Sequence, residues 1–274
     1  MSDLLSLPPL RDIIDAHDLR AKKSLGQNFL LDLNITEKIV RLAGDLSGCH
    51  VFEIGPGPGG LTRALVNSEA EKITAIEFDT RAIKALQSLI DVSNDRLKVI
   101  ESDALQTNLF SLGDAPRAIV ANLPYNIATP LLVNWLRQIY EDRSSYRSMT
   151  LMFQKEVAQR ITARVGDKHY GRLAVLTQWL CDADIVMDLS PKAFTPPPKV
   201  TSSVVHLRPK EIENSPSFEA VETITAAAFG QRRKMIRSSL KAYKEHFDDL
   251  GLNPETRAEN LSVEDYITLA KAVS

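Results

Sequence analysis

The sequence predicts an α/β fold: a doubly wound, seven-stranded, mostly parallel sheet ending in an antiparallel hairpin, followed by a small helical domain. Three observations predict it. Short runs rich in Val, Ile and Leu alternate with helical stretches through the middle of the chain, as in a parallel sheet covered on both faces. A glycine-rich turn joins the first of these strands to a helix. Near residue 210 the alternation stops, and a polar, proline-containing segment leads into purely helical sequence.

Taken in order, residues 50–54 read as a strand and 59–68 as a helix; 72–77 as a strand and 80–89 as a helix. Residues 97–101, 117–121 and 149–153 continue the strands, with helical periodicity at 130–140, 155–163 and 172–180. Residues 184–189 and 203–207 are strand-like but separated by only a proline-rich loop, too short for a parallel crossover, so they should run antiparallel. Residues 208–217 read as a linker, and helical spacing returns at 218–229, 233–243 and 263–272. Ser262 with Asp265 three residues on marks the start of the last helix. The expected division is an N-terminal extension (1–20), an α/β domain (21–210) and a helical C-terminal domain (211–274).

A chain of 274 residues can bury a substantial core, and its 44% apolar and 25% charged composition is that of an ordinary globular protein. No run approaches the ~20 apolar residues of a membrane span, and the N-terminus lacks the basic start and apolar run of a secretory signal. Cys49 and Cys181 stand alone, which predicts no disulfide, no metal site and a reducing, cytoplasmic setting. The overall charge of −2 argues weakly against a nucleic-acid partner. Its distribution argues the other way: residues 143–172 and 230–245 each carry a net +5, whereas the tail beyond Asp248 is acidic. Such segregation is a possible phosphate footprint, although solvated helix faces would look the same.

The strand ending at Ile54 runs into Gly55-Pro56-Gly57-Pro58-Gly59-Gly60. Glycine lets the chain turn sharply and lets backbone approach a ligand closely. Glu77 follows ~20 residues later at the end of the second strand, where a carboxylate can grip ribose hydroxyls. These features alone fit NAD and S-adenosylmethionine equally. Three neighbours tilt the choice to S-adenosylmethionine: Glu53 would repel a pyrophosphate but welcome a sulfonium and an amino group; Pro56 and Pro58 remove amide donors a pyrophosphate would use; and Asp103, after the third strand, is placed to accept from an adenine amino group.

Asn122-Leu123-Pro124-Tyr125 follows the fourth strand, beside the expected switch point of the sheet. An exocyclic adenine amine is a poor nucleophile because its lone pair is delocalised. The Asn122 side-chain oxygen and the Leu123 or Pro124 carbonyl can each accept one amine hydrogen, turning the lone pair toward a sulfonium methyl. Tyr125 offers a stacking face worth ~1–3 kcal/mol. Catalysis would rest on positioning and electrostatics, with no general base needed before transfer. The plainer alternative is an Asx turn capping the helix begun by Thr129-Pro130.

With these residues in view, the chain resembles the small-subunit (16S) ribosomal RNA adenine N6-dimethyltransferase family. The matching segments are Lys23-Ser24-Leu25-Gly26-Gln27-Asn28-Phe29-Leu30, residues 53–62, Asn122 through Pro130, Phe194-Thr195-Pro196-Pro197-Pro198-Lys199-Val200 and Phe229-Gly230-Gln231-Arg232-Arg233-Lys234. The resemblance runs from about residue 20 to the end. It implies a Rossmann-like class I methyltransferase, cytoplasmic and monomeric, that uses S-adenosylmethionine to dimethylate N6 of two adjacent adenosines near the 3′ end of 16S rRNA in the immature small subunit, as part of its biogenesis. By the matching positions, Asn28, Leu30, Gly55, Glu77, Asp103 and Asn122 would hold the cofactor, joined on the reading of the loop itself by Glu53 and Gly57. Phe194 would stack on the flipped base opposite Tyr125, and Arg232, Arg233, Lys234 and Arg237 would meet RNA. Without the family, residues 28–30 could equally be an N-terminal helix packed on the sheet. Rival readings are a related methylase of large-subunit RNA, a ribosome-assembly or transcription factor that keeps the fold without turnover, and an NAD-dependent oxidoreductase.

Overall fold

The computed structural model describes residues 7–20 and 27–273. Among these are nine strands: β1 (Phe29–Leu30), β2 (His50–Ile54), β3 (Lys72–Glu77), β4 (Leu97–Glu101), β5 (Arg117–Asn122), β6 (Ser148–Gln154), β7 (Cys181–Leu189), β8 (Phe194–Thr195) and β9 (Ser202–Pro209). Seven form one sheet in the order β4-β3-β2-β5-β6-β9-β7. The pairs among β2 to β6 are parallel, and β9 runs antiparallel to both β6 and β7. The expected hairpin is therefore present, and its second strand is the one inserted next to β6. The register of β7 against β9 shifts between Ile185 and Met187.

The near-continuous apolar runs have a simple cause: alternate side chains feed two cores. Phe52, Ile54, Ile119, Ala121, Leu151 and Phe153 point into one cluster, while Val51, Ile73, Ala75, Ala118, Val120 and Met152 point into the other. The second face is covered by α2 (Leu33–Leu42) and α3 (Gly60–Val66), through Ile39, Val40, Leu61 and Leu65. Helix α2, N-capped by Asp32, has no counterpart among the expected elements. Nor has α1 (Leu10–Ala16), which lies in the N-terminal extension. It buries Leu10 and Ile13, and Leu19 beyond it, near Ala82 and Ala85. Its chain is tied down where Arg63 donates to the Pro8 carbonyl and Arg81 to that of Asp18.

The helix expected over 80–89 is two short ones, α4 (Thr80–Ala85) and α5 (Gln87–Asp91), broken at Leu86. On the other face lie α6 (Ala128–Glu141), α7 (Lys155–Thr162) and α8 (Arg172–Leu180). The C-terminal helices α9 (Phe218–Gly230), α10 (Ile236–Ser239) and α11 (Val263–Ala272) extend this layer. Phe218 stands 5.8 Å from Trp179 and 5.7 Å from Tyr140, centroid to centroid, so the helices beyond the linker share one continuous core with the sheet. Arg137 and Arg172 both pair with Glu222 across the same seam. The Ser262–Asp265 capping box is formed in full at α11.

The helix expected over 233–243 does not form as one element: it is reduced to the single turn of α10, followed by a 3-10 segment (Lys241–His246). Residues 231–234 are a turn, Met235 bridges to Arg257, and the Ile236 and Arg237 amides donate to the Thr256 and Pro254 carbonyls. Those donors are spent on the neighbouring segment, so the helix cannot begin before Ile236. Among the described residues no helix is long and apolar enough to cross a membrane.

Candidate active site

Strand β2 pairs with β3 on one side and β5 on the other, so the chain reverses its winding there, and a cleft opens at the carboxyl ends of these strands. Gly55, Gly57 and Gly59 all adopt positive φ (67°, 53° and 89°), the left-handed region that a side chain disfavours. Close approach adds a second constraint. A Cβ on Gly57 would lie 2.8 Å from the Phe29 ring, and one on Gly60 would lie 2.3 Å from the Leu30 carbonyl oxygen. Strand β1 is thus laid directly on the loop as a roof. The roof is itself paired antiparallel with β8, Phe29 opposite Thr195 and Leu30 opposite Phe194. The segment 28–30 therefore enters the site as a strand, not as the helix that was the alternative. Lys23 to Gly26 of the same motif lie outside the described residues.

The structure brings Asn28, Leu30, Glu53, Gly55, Gly57, Glu77, Asp103 and Asn122 to one cleft, together with Leu123, Pro124 and Tyr125. Glu77 is buried, and its carboxylate accepts from three main-chain amides: Gly57 at 3.2 Å, Phe78 at 2.8 Å and Asp79 at 2.8 Å. Burial pushes its pKa above the ordinary carboxylate range, and these amides oppose the rise. Glu53 is 1% exposed, and its Oε2 has no hydrogen-bond partner among the described residues. Burial raises its pKa to about 8; the nearby Thr62 hydroxyl opposes this and the Glu77 carboxylate adds to it. Burial thus favours the neutral carboxyl, and a cation beside it would favour the charged form. Asp103 Oδ1 accepts from the Leu105 amide at 2.9 Å, closing the turn after β4.

Asn122 ends β5, and its Nδ2 donates to the Asn28 carbonyl at 3.0 Å. The Tyr125 hydroxyl is 2.6 Å from Ser202 Oγ, which fixes the ring at the cleft. Burial raises the Tyr125 pKa, so the ring stays neutral. Phe194 is not brought to the cleft. It is 2% exposed and lies in the cluster of Leu30, Met152, Leu189 and Val204, opposite Leu30 in the β1–β8 pair. Sequence reasoning missed Phe29, Thr62 and Ser202. The first two lie inside quoted motifs, but only the fold shows that one packs on Gly57 and the other lies near Glu53.

No Lys, Arg or His is among the described residues lining this cleft, which carries three carboxyl groups. A ligand bearing positive charge fits such a lining, and a pyrophosphate does not. Basic side chains gather elsewhere. Where α7, α8 and the end of α9 meet, a second cleft is lined by Arg160, Lys168, His169, Arg172 and Arg232 around Phe229. Arg232 is held there by the Lys168 carbonyl and Glu259, and Arg237 by Glu255. Arg233 and Lys234 are exposed on the turn and form no ion pair among the described residues.

The family model for ribosomal RNA adenine dimethylase matches residues 18–274. The ribosomal RNA small subunit methyltransferase A of Allorhizobium ampelinum is 54% identical over 273 residues, 98% of this chain and 99% of that protein. Among solved structures, a dimethyladenosine transferase from Plasmodium falciparum superposes with a TM-score of 0.75 at 28% identity, covering 87% of this chain and 94% of the other. The 23S rRNA methyltransferase ErmE superposes with a TM-score of 0.68 at 26% identity, covering 89% and 98%.

Proposed function

The chain belongs to the ribosomal RNA adenine dimethylase family, and from that premise we propose that it transfers methyl groups from S-adenosylmethionine to N6 of two adjacent adenosines near the 3′ end of 16S rRNA. Its substrate is the immature small subunit, and it acts as a cytoplasmic monomer. The observation that carries this reading is the cleft of Glu53, Glu77 and Asp103, lined by no Lys, Arg or His among the described residues, that ends on Asn122 and Tyr125. When bound there, S-adenosylmethionine supplies an electrophilic methyl on a positively charged sulfur.

The remaining work falls to side chains and backbone of this chain. Glu77, held by its three amides, presents remaining lone pairs to the ribose hydroxyls. Asp103 serves the adenine amino group, and Glu53 with Gly55 and Gly57 serves the amino-acid end, under the roof of Asn28 and Leu30. Asn122 Oδ1 and the Leu123 or Pro124 carbonyl accept the two hydrogens of the target amine and aim its lone pair. Tyr125, braced by Ser202, is the platform for the unstacked base. Phe194 is buried and does not line the cleft, so Tyr125 is the stacking face in the arrangement described. The methylated nitrogen is acidic enough to lose its proton to water. RNA phosphates meet the second basic cleft and the turn bearing Arg233 and Lys234.

The test is incubation with labelled S-adenosylmethionine and unmethylated small subunits, followed by nucleoside mass analysis, with large subunits in parallel. N6,N6-dimethyladenosine in small-subunit RNA is expected. Its absence there, or its appearance only in large-subunit RNA, would overturn the proposal.

A further inference from the structure

The hydrogen bond from Asn122 Nδ2 to the Asn28 carbonyl spans 94 positions of sequence and settles a question of chemistry. A carboxamide has two ends of nearly equal size, one a donor and the other an acceptor. A main-chain carbonyl can only accept, so the end of Asn122 facing Asn28 must be its nitrogen. The oxygen is then the end left over. Among the described residues it receives no hydrogen bond, yet it is not sealed from solvent, and both residues line the cleft.

Were the amide reversed, two donor hydrogens would face the hydrogens of an amine and two oxygens would face each other at Asn28. The acceptor geometry thus depends on the roof as well as on β5. The roof is well braced: Phe29 lies on Gly57, the Leu30 carbonyl lies on Gly60, and both residues are in register with β8.

We propose that the Asn28 main-chain carbonyl is a positioning group for methyl transfer, holding the Asn122 side chain with its oxygen toward the target amine. The segment that covers the cofactor therefore also orients the methyl acceptor. This rests on the reading of the cleft as an adenine-N6 methyltransferase site.

Asn122→Asp tests it. The carboxylate form keeps an acceptor for the amine but places a second oxygen against the Asn28 carbonyl. The protonated form restores both roles, donating O–H to Asn28 and offering C=O to the amine. Single-turnover transfer at saturating cofactor should therefore rise in the variant as pH falls from 8 to 5.5, approaching about tenfold per unit above the carboxyl pKa. Wild type should lack this limb. Glu53, Glu77, Asp103 and Tyr125 also titrate or carry charge at the cleft, but they are common to both proteins, so the difference between the profiles isolates residue 122. A variant profile parallel to wild type, or one rising with pH, would overturn the proposal.

A second measurement needs neither mutation nor turnover. In wild type, the Asn122 side-chain amide protons should exchange with solvent about tenfold more slowly than those of an exposed asparagine. Exchange at the exposed rate would also overturn the proposal. Failure of the wider functional reading would show separately, as wild-type protein that forms no N6,N6-dimethyladenosine.

Discussion

The Gly57 amide donates to Oε2 of Glu77 at 3.2 Å, joining the glycine loop after β2 to the end of β3. With Phe78 and Asp79 on the other oxygen, the carboxylate that would grip a ribose is already a structural hub before any ligand arrives. Its two duties cannot be separated by a simple truncation.

Glu77→Ala should therefore lose both cofactor affinity and stability. It strands amide donors in a partly buried place, where each unsatisfied group costs about 1–3 kcal/mol. Chemical unfolding and calorimetric titration should both register the change. An unchanged unfolding midpoint with a raised Kd would assign Glu77 to the ligand alone.

Glu53 gives the cleft a pH dependence whose sign can be worked out. Between the ordinary carboxylate range and about 8 its carboxyl is protonated in the fold and ionised in the unfolded chain. The unfolded chain then binds fewer protons, so this group's contribution to stability falls as pH rises through that window. A cationic ligand favours the ionised form, so affinity for S-adenosylmethionine should strengthen from pH 6 to 8, by up to about tenfold per unit. Titrations in buffers of different ionisation heat should show proton release on binding. Glu53→Gln should abolish the release and flatten the affinity profile; a profile unchanged by the substitution would remove Glu53 from the site.

Asn122→Ala should reduce single-turnover methyl transfer by a hundredfold or more, about 3 kcal/mol or above in the transition state. Cofactor Kd should rise only several-fold, because the roof retains its packing on Gly57 and its pairing with β8. Equal losses in the two measurements would make Asn122 chiefly a cofactor contact.

Phe194→Ala removes a buried aromatic from beneath the roof and should destabilise the fold by about 3–5 kcal/mol, read as a lower denaturant midpoint. A surface-like effect on stability with a large loss of RNA-dependent turnover would place the ring at the base instead.

Charge reversal of Arg233 and Lys234 should weaken small-subunit binding and flatten its dependence on salt, by about 0.7–0.9 in logarithmic slope for each phosphate no longer neutralised. Arg232, tied to the Lys168 carbonyl and Glu259, should matter more for the shape of the second cleft. Subunit binding that is unaffected at every salt concentration would show that this turn faces away from RNA.

The parallel strands were legible because burial on both faces leaves a strong apolar signature, and the loop because no residue but glycine suits Gly55, Gly57 and Gly59 cheaply. Residues 50–54 and 72–77 coincide with β2 and β3. What escaped was decided by neighbours distant in sequence. Residues 29–30 are a strand only because β8 pairs with them, and 233–243 is not one helix because the 254–257 segment takes its amides. Within the site, the chemical types of Glu53, Glu77 and Asn122 could be read directly. The upward shift of the Glu53 pKa could not, since it depends on burial beside a second carboxyl. The withdrawal of Phe194 could not either, because an aromatic beside a proline loop looks the same whether it faces a ligand or the core.

The position of β9 has a consequence for biosynthesis. It is the last strand to leave the ribosome, yet it belongs between β6 and β7. Until residue 209 has emerged, the nascent sheet carries a bare edge of unpaired N–H and C=O groups along β6, a template for pairing with any other extended chain. The helical layer from Phe218 onward is later still, and it closes the core around Trp179. This member of the ribosomal RNA adenine dimethylase family therefore completes its own sheet only after most of it has been made.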